Sequence, residues 1–295
     1  MASSFNSNGS NMSWEEARDQ LRKWREENVR YSEEVVEIAD TLLAEHVSKL
    51  GDEAWVVYEQ LFIASLDTGK IEIASACIRD LERQFPNSIR VKKLKGMRLE
   101  ALEKWEEALE IYNDILEEDE ANAVVRKRKV AIYKARKNIP GAIKELCEHV
   151  KKFMTDHEAW MELTDLYIAE QEYSKAAFCL EELILSNPHN HLYHQRFAEI
   201  KYTQGDMALA CKYFSQAAKC NENNMRALYG VFMSANNLAA SQKGTARFKK
   251  DNMKYAAWAA RQISEKYKAA ELRDHEQQMS ALEEMLDSLQ VVPAN

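Results

Sequence analysis

Residues 157–190 read HEAWMELTDLYIAEQEYSKAAFCLEELILSNPHN, and two apolar patterns run through them. Trp160, Leu163 and Tyr167 recur at spacings of three and four, as do Tyr173, Ala176 and Leu180, and Pro188 closes the run. Such spacing sets each trio on one stripe of a helix and leaves the charged residues outside. One helix cannot bury such a stripe alone, so the two helices need each other and a neighbour.

Working outward, Ala176 is one of five alanines, Ala74, Ala108, Ala142, Ala176 and Ala210, spaced by 34 residues without gap or insertion. Four residues after each stands a large apolar side chain: Ile78, Tyr112, Leu146, Leu180 and Phe214. Three residues before each stands another: Ile71, Trp105, Ile139, Tyr173 and Met207. The small residue lets the second helix of a unit approach the first, and the bulky one fills the gap toward the next unit, at ~1.5–3 kcal/mol per large side chain. Pro86 and Pro188, twelve residues after two of the alanines, stop the helix there. Period and offsets follow the tetratricopeptide pattern, whose stacked units draw stability mainly from their neighbours. The unit at 89–122 carries Gly96, Ala108 and Tyr112, and that at 191–224 carries Ala198, Ala210, Phe214 and Ala217. Phe62 and Val130 replace the small residue of the first helix in two units, where local packing must differ. The fold class expected is all-α, a tetratricopeptide-repeat superhelix, that is, a right-handed α-solenoid of helical hairpins with capping helices at both ends.

Boundaries follow the same register. Asp52, Asn122, Asp156, Ser174 and Asn224 each precede a helical stretch and can accept from its first-turn amides. Ser13 with Glu16 forms a capping box that opens a helix containing Trp14, Leu21 and Trp24, and a second helix runs from Ser32 to Lys49. The expected organisation is a disordered leader at 1–13, a helical pair at 14–50, five tandem repeats at 51–224, a degenerate sixth repeat with a polar insertion at 225–270, and a helix and tail at 271–295. In the sixth, Met225 to Asn237 is the first helix, the polar run 241–250 delays its partner, and that partner resumes at Asp251. The last helix presents Leu272, Met279, Leu282, Met285, Leu286 and Leu289 along one face, suited to covering the array's end or docking a partner.

Composition narrows the function. Only 8 Gly and 4 Pro in 295 residues suit helices, and a net charge of −8 argues against nucleic acid as the main partner. Cys77, Cys147, Cys179, Cys211 and Cys220 include no CxxC pair and are odd in number, so neither a disulfide framework nor a zinc ribbon is implied, and a reducing compartment such as the cytosol fits. The Ser- and Asn-rich start lacks the apolar core of a signal peptide, and no run of apolar residues approaches a membrane span.

Catalysis finds no support. No phosphate-cradling or hydrolase string occurs, and Glu106, Glu107 and the run Glu117 to Glu120 belong to a solvated face. His189, His191 and His194 lie at a turn between units without acidic or thiol partners at ligand spacing, so solvated turn residues are expected rather than a metal site; no metal and no cofactor is expected. The first helices of the middle repeats are basic, with Arg90, Lys92, Lys93, Lys95, Arg98, Arg126, Lys127, Arg128, Lys129, Lys134, Arg136 and Lys137. Two readings stand open: an acidic peptide or lipid headgroups could face them on a concave side, or they pair with the acidic helices between them. Lys93, Arg126, Arg128, Lys129, Lys249 and Lys250 are the candidate partner-binding cations. A chaperone-type carboxylate clamp is not supplied, since Met97 stands where Asn is needed and Arg128, Glu158 and Glu162 occupy later clamp positions.

Longer strings carry a resemblance. Arg22 to Asn28 (RKWREEN), Arg83 to Pro86 (RQFP), Arg126 to Lys129 (RKRK), Lys175 to Leu183 (KAAFCLEEL), Asn187 to Tyr193 (NPHNHLY), Lys201 to Gly205 (KYTQG), Asn224 to Leu228 (NMRAL) and Lys250 to Ala256 (KDNMKYA) include turns and surface as well as repeat positions. Together they closely resemble the subunit 2 family of the endoplasmic reticulum membrane protein complex, from Trp14 to about Leu289. The leader before Trp14 and a shorter hairpin around Gly205 to Ala210 depart from it. The resemblance implies a cytosolic, non-catalytic scaffold of an insertase that places tail anchors and helices of multi-pass proteins into the bilayer without nucleotide energy. It also implies partners: cytosolic segments of membrane-embedded subunits and a soluble subunit of deubiquitinase-like fold. Membrane association would be indirect, at the cytosolic face of the endoplasmic reticulum. A free adaptor binding short peptides is the rival from another class.

Overall fold

The computed structural model describes residues 12–241 and 245–269 together with Ser280 and Glu284. The leader, except Met12 and Ser13, and the helix expected at 271–290, except Ser280 and Glu284, lie outside the described residues. Every element among the described residues is helical, and the chain divides into two compact units, Met1–Lys137 and Asn138–Asn295.

In the first unit, α1 (Trp14–Glu26), α2 (Ser32–Leu50), α3 (Glu53–Asp67), α4 (Ile71–Gln84), α5 (Ile89–Ala101), α6 (Trp105–Glu118) and α7 (Ala123–Ala135) each pack on the next. In the second, α8 (Ile139–Lys152), α9 (His157–Ala169), α10 (Tyr173–Ser186), α11 (His191–Thr203), α12 (Met207–Cys220), α13 (Met225–Ala240) and α14 (Ala246–Ala269) do the same, and α11 also touches α13. The period is written into the helix lengths. First helices α5, α7, α9 and α11 have 13 residues each, and second helices α4, α6, α8, α10 and α12 have 14 each.

The alanine register makes this spacing possible. Ala74, Ala108, Ala142, Ala176 and Ala210 are all 0 % exposed, and Ile78, Tyr112, Leu146, Leu180 and Phe214 are buried beside them. Approach is equally close at Gly96 and Gly230, where an added Cβ would lie 2.4 Å from Tyr112 Cε1 and from Phe214 Cδ1, so each ring occupies the space that a side chain on α5 or α13 would need. At the corresponding sites Phe62 and Val130 are buried within their own helix layers. Burial of these side chains is the main stabilising term.

Each hairpin turn repeats one conformation. Gly69, Glu103, Lys137, Gln171 and Gly205 have φ of 72, 56, 58, 59 and 84°. The next amide, at Lys70, Lys104, Glu172 and Asp206, bonds back to the carbonyl of Ser65, Leu99, Tyr167 and Lys201. This left-handed closure satisfies carbonyls that the helix end would orphan. The second helices end where the C-cap amide bonds four residues back: Phe85, Asp119, Phe153, Asn187 and Asn221 do so alike, with or without a following proline.

N-caps divide by residue. Ser13 and Glu16 form the reciprocal box, and the amide of Ser13 holds the Glu16 carboxyl below its ordinary value. Asn122, Asp156 and Asn224 accept from Val125, Ala159 and Ala227. Asp52 sits at its N-cap without such a bond, and Ser174 is the second residue of α10, because the helix starts at Tyr173 and its N-cap is Glu172. Asn138, Asn190 and Asp206, which the sequence reading did not single out, also cap helices. α14 begins at Ala246, so half of the polar run 241–250 is helical rather than loop.

Candidate interaction surface

The basic first helices are the place to look for a binding face, and the structure shows how their cations are spent. Arg128 of α7 forks onto Glu100 of α5, with Nη2 2.8 Å from Oε2 and Nε 3.1 Å from Oε1. The Tyr112 hydroxyl donates to the same carboxylate, and burial, then the nearby Glu100 charge, pushes its phenol well above the ordinary value. Arg136 pairs with Glu106 at 2.7 Å, and Arg90, Lys92 and Lys95 pair with Glu59, Glu118 and Glu82. Lys127, Lys129 and Lys134 also have polar or electrostatic partners. Pairing with neighbouring helices thus engages Arg90, Lys92, Lys95, Arg128 and Arg136, while Lys93 and Lys137 have no carboxylate partner among the described residues.

Arg126 has a different task. It is 8 % exposed and donates Nε and Nη2 to the carbonyl of Glu120, both at 3.2 Å. One repeat later Trp160 donates Nε1 to the carbonyl of Met154 at 2.9 Å, and one repeat later again His194 places Nε2 2.7 Å from the carbonyl of Pro188. A carbonyl only accepts, so His194 carries its proton on Nε2. An arginine, a tryptophan and a histidine thus tie the same loop carbonyl from the same helix position, because each puts an N–H at about the same reach.

The candidate cations are distributed as follows. Arg126 and Lys129 are buried, and Arg128 is half-buried in its pair. Lys93 is half-buried on α5, Lys249 is half-buried in the first turn of α14, and Lys250 is exposed beside it. Among the packing residues, Trp160 sets its ring edge-on to Phe178 at 6.5 Å, and the Tyr167 hydroxyl lies 3.4 Å from Cys147 Sγ.

The histidine string corrects the expectation of solvated turn residues. His189 is exposed, but His194 is buried and His191 presents Nδ1 and Nε2 to the side-chain amides of Asn224 and Asn221, at 2.8 and 3.1 Å. No group of three or more possible metal ligands exists among the described residues. Sequence reasoning missed His149, which is 0 % exposed and 2.9 Å from the carboxylate of Asp156, the residue that caps α9. Its partner lies seven residues on, past a helix end, where no helical spacing flags it. The five thiols are free, and burial pushes Cys77 and Cys179 up to about 12, which keeps them protonated.

Comparison with known proteins agrees with this geometry. Residues 81–203 match the EMC2 TPR-like repeat domain. The chain is 52 % identical over 285 residues to ER membrane protein complex subunit 2-A of Xenopus laevis, covering 95 % of this chain and 96 % of that protein. It is 30 % identical over 267 residues to ER membrane protein complex subunit 2 of Dictyostelium discoideum, covering 85 % and 82 %. Among solved structures, the C-terminal part of a TPR repeat-containing protein from Cytophaga hutchinsonii superposes with a TM-score of 0.59 at 15 % identity, over 85 % of this chain and 94 % of that one, which speaks for the fold alone. Repeat register, helix architecture and identity across nearly the whole length lead to one conclusion: the chain belongs to the ER membrane protein complex subunit 2 family.

Proposed function

We propose that the chain is a non-catalytic scaffold subunit of the ER membrane protein complex, seated on the cytosolic face of the endoplasmic reticulum, where it supports energy-independent insertion of tail-anchored and multi-pass membrane proteins. The observation that carries this reading is the 52 % identity that spans 95 % of this chain and 96 % of the Xenopus laevis subunit. The architecture is in keeping with it. Stacked hairpins offer long surfaces for contact, and no helix among the described residues is long and apolar enough to cross a membrane. The repeats at 51–224 are the scaffold proper, with the pair at 14–50 and the degenerate sixth repeat at 225–270 as its ends.

Its partners, on this reading, are cytosolic segments of membrane-embedded subunits and a soluble subunit of deubiquitinase-like fold. Lys93, Lys249 and Lys250 are the cations assigned to partner segments, while Arg126, Arg128 and Lys129 serve the internal contacts described above. Affinity capture of the tagged chain in mild detergent, read by mass spectrometry, is expected to recover a stoichiometric multi-subunit assembly, and its depletion is expected to lower insertion of a tail-anchored substrate. A chain that elutes alone from native extracts would instead be a free peptide adaptor. Reversing Lys93, Lys249 and Lys250 to Glu should release subunits; an assembly that survives removes those three assignments and leaves membership standing.

A further inference from the structure

Helix α14 differs from the other helices in the company its charges keep. Between Ala246 and Ala269 it carries seven cations and two carboxylates, in a chain of net charge −8. The helix it packs on, α13, reads MRALYGVFMSANNLAA and contains no carboxylate. The pairing that absorbs the cations of α5 and α7 therefore has no counterpart there. Lys254 leans on Asp251 of its own helix at 3.5 Å, whereas Arg247, Lys250 and Arg261 have no carboxylate partner among the described residues.

The apolar side chains are divided as sharply. Asn252, Ala256, Ala259, Ala260 and Ile263 form the buried side. Along its flank stand Phe248, Tyr255 and Trp258, exposed at 41, 55 and 46 %. On a helix Phe248 and Tyr255 nearly eclipse and Trp258 lies further round, so the rings form a band along one flank of the buried side; Arg247, Lys254, Arg261 and Lys250 follow beyond Trp258, and Asp251 falls within the band. A single exposed ring is ordinary. Three of them in one band with cations along its outer edge have the composition of a helix lying in a membrane interface, where Trp and Tyr sit at headgroup depth and Lys and Arg meet lipid phosphates. From Arg247 to Arg261 the band extends roughly 21 Å along a straight helix, which suits a plane.

We propose that the exposed flank of α14 rests on an anionic bilayer surface, with Phe248, Tyr255 and Trp258 entering the interface and Arg247 and Arg261 meeting lipid phosphates. This goes beyond the scaffold reading and does not rest on it, because it is tested on the isolated chain while complex membership is tested by co-purification.

The full-length protein is sedimented with vesicles of phosphatidylcholine containing about 30 mol % phosphatidylserine, and with phosphatidylcholine alone. Binding is expected to the anionic vesicles and not to the neutral ones, and to fall at about 0.5 M salt, where charges are screened within a few ångströms. Replacing Tyr255 and Trp258 together by Ala is expected to lower partitioning about tenfold. Reversing Arg247 and Arg261 together to Glu is expected to lower it about thirtyfold. The control reverses the exposed Lys144 and Lys212 to Glu, which changes net charge equally and should leave binding near the wild-type value. Brominated lipid should quench a component of the tryptophan emission that Trp258→Phe removes. All variants are at exposed positions, and an unchanged far-UV spectrum checks their fold. Absence of binding to anionic vesicles overturns the proposal, as does an equal loss in the control. Loss of co-purifying proteins by the Tyr255 and Trp258 variant with vesicle binding intact would make the face a protein contact instead. Binding seen only after residues 270–295 are removed would mean that the chain covers the band itself, and would also overturn it.

Discussion

Helices α5 and α7 in the first unit and α14 in the second are the two cation-rich regions of the molecule, and their charges meet opposite fates. Arg90, Arg128 and Arg136 find Glu59, Glu100 and Glu106, each lying about one repeat earlier in the chain. The same reach recurs in the second unit, where Arg196 lies 2.6 Å from Asp165 and Arg226 2.6 Å from Glu199. For α14 neither α12 nor α13 supplies an acid, and Arg247 and Arg261 have no carboxylate partner among the described residues. The number of lysines and arginines on a helix therefore says little about what it can bind. What decides is whether a carboxylate on a neighbouring helix stands within reach.

The most severe test of the paired region is Tyr112→Ala. The ring is 0 % exposed, fills the space over Gly96 and donates to Glu100, so truncation should cost ~3–5 kcal/mol, read as a fall in the denaturation midpoint. Tyr112→Phe keeps the ring and should cost ~1 kcal/mol, the net worth of one such bond. The comparison itself is tested by Glu100→Ala beside Arg261→Ala. The first leaves a half-buried guanidinium without its carboxylate and should cost ~1–3 kcal/mol. The second removes an outward charge and should stay within ~0.5 kcal/mol. Equal costs would mean that the two regions do not differ as described.

A smaller effect probes the loop tie. Arg126→Trp keeps an N–H within reach of the Glu120 carbonyl, as Trp160 does for Met154, and should change stability by less than ~0.5 kcal/mol, whereas Arg126→Ala should cost ~1–2 kcal/mol. If the tryptophan variant loses as much as the alanine one, the three ties are not interchangeable and Arg126 acts through its charge.

These contrasts also show what can be read from sequence. The alanine register was legible because small and large residues recur on one strict period, and the helices start where that register places Ile71, Trp105, Ile139, Tyr173 and Met207. Caps at Asn122, Asp156 and Asn224 were legible because a short polar side chain just before an apolar period has one use there. Ser174 misled because it satisfies that rule one residue inside the true start. The role of Arg126 was hidden because three unlike residues perform it, so no residue type marks the position. The fate of the cations was hidden for a related reason: it depends on a carboxylate about thirty residues away, and a scan along single helices sees only their own charge.

The gentlest prediction concerns the turns that hold the register. Five residues close the hairpins in left-handed conformation, and two are glycine while three are Glu103, Lys137 and Gln171. A side chain in that region brings Cβ against the following carbonyl at a cost of ~1–2 kcal/mol. Glycine removes that strain but loses more chain entropy on folding, ~0.5–1 kcal/mol. The difference favours glycine, so Glu103→Gly should stabilise the first unit by ~0.5–1 kcal/mol, and Gly69→Ala should destabilise it by ~1 kcal/mol. Glu103 is exposed and has no ion pair among the described residues, so no lost contact offsets the gain. The midpoints of chemical denaturation for the two variants should therefore move in opposite directions, and a Glu103→Gly protein less stable than its parent would show that something other than backbone strain sets the residue at this turn.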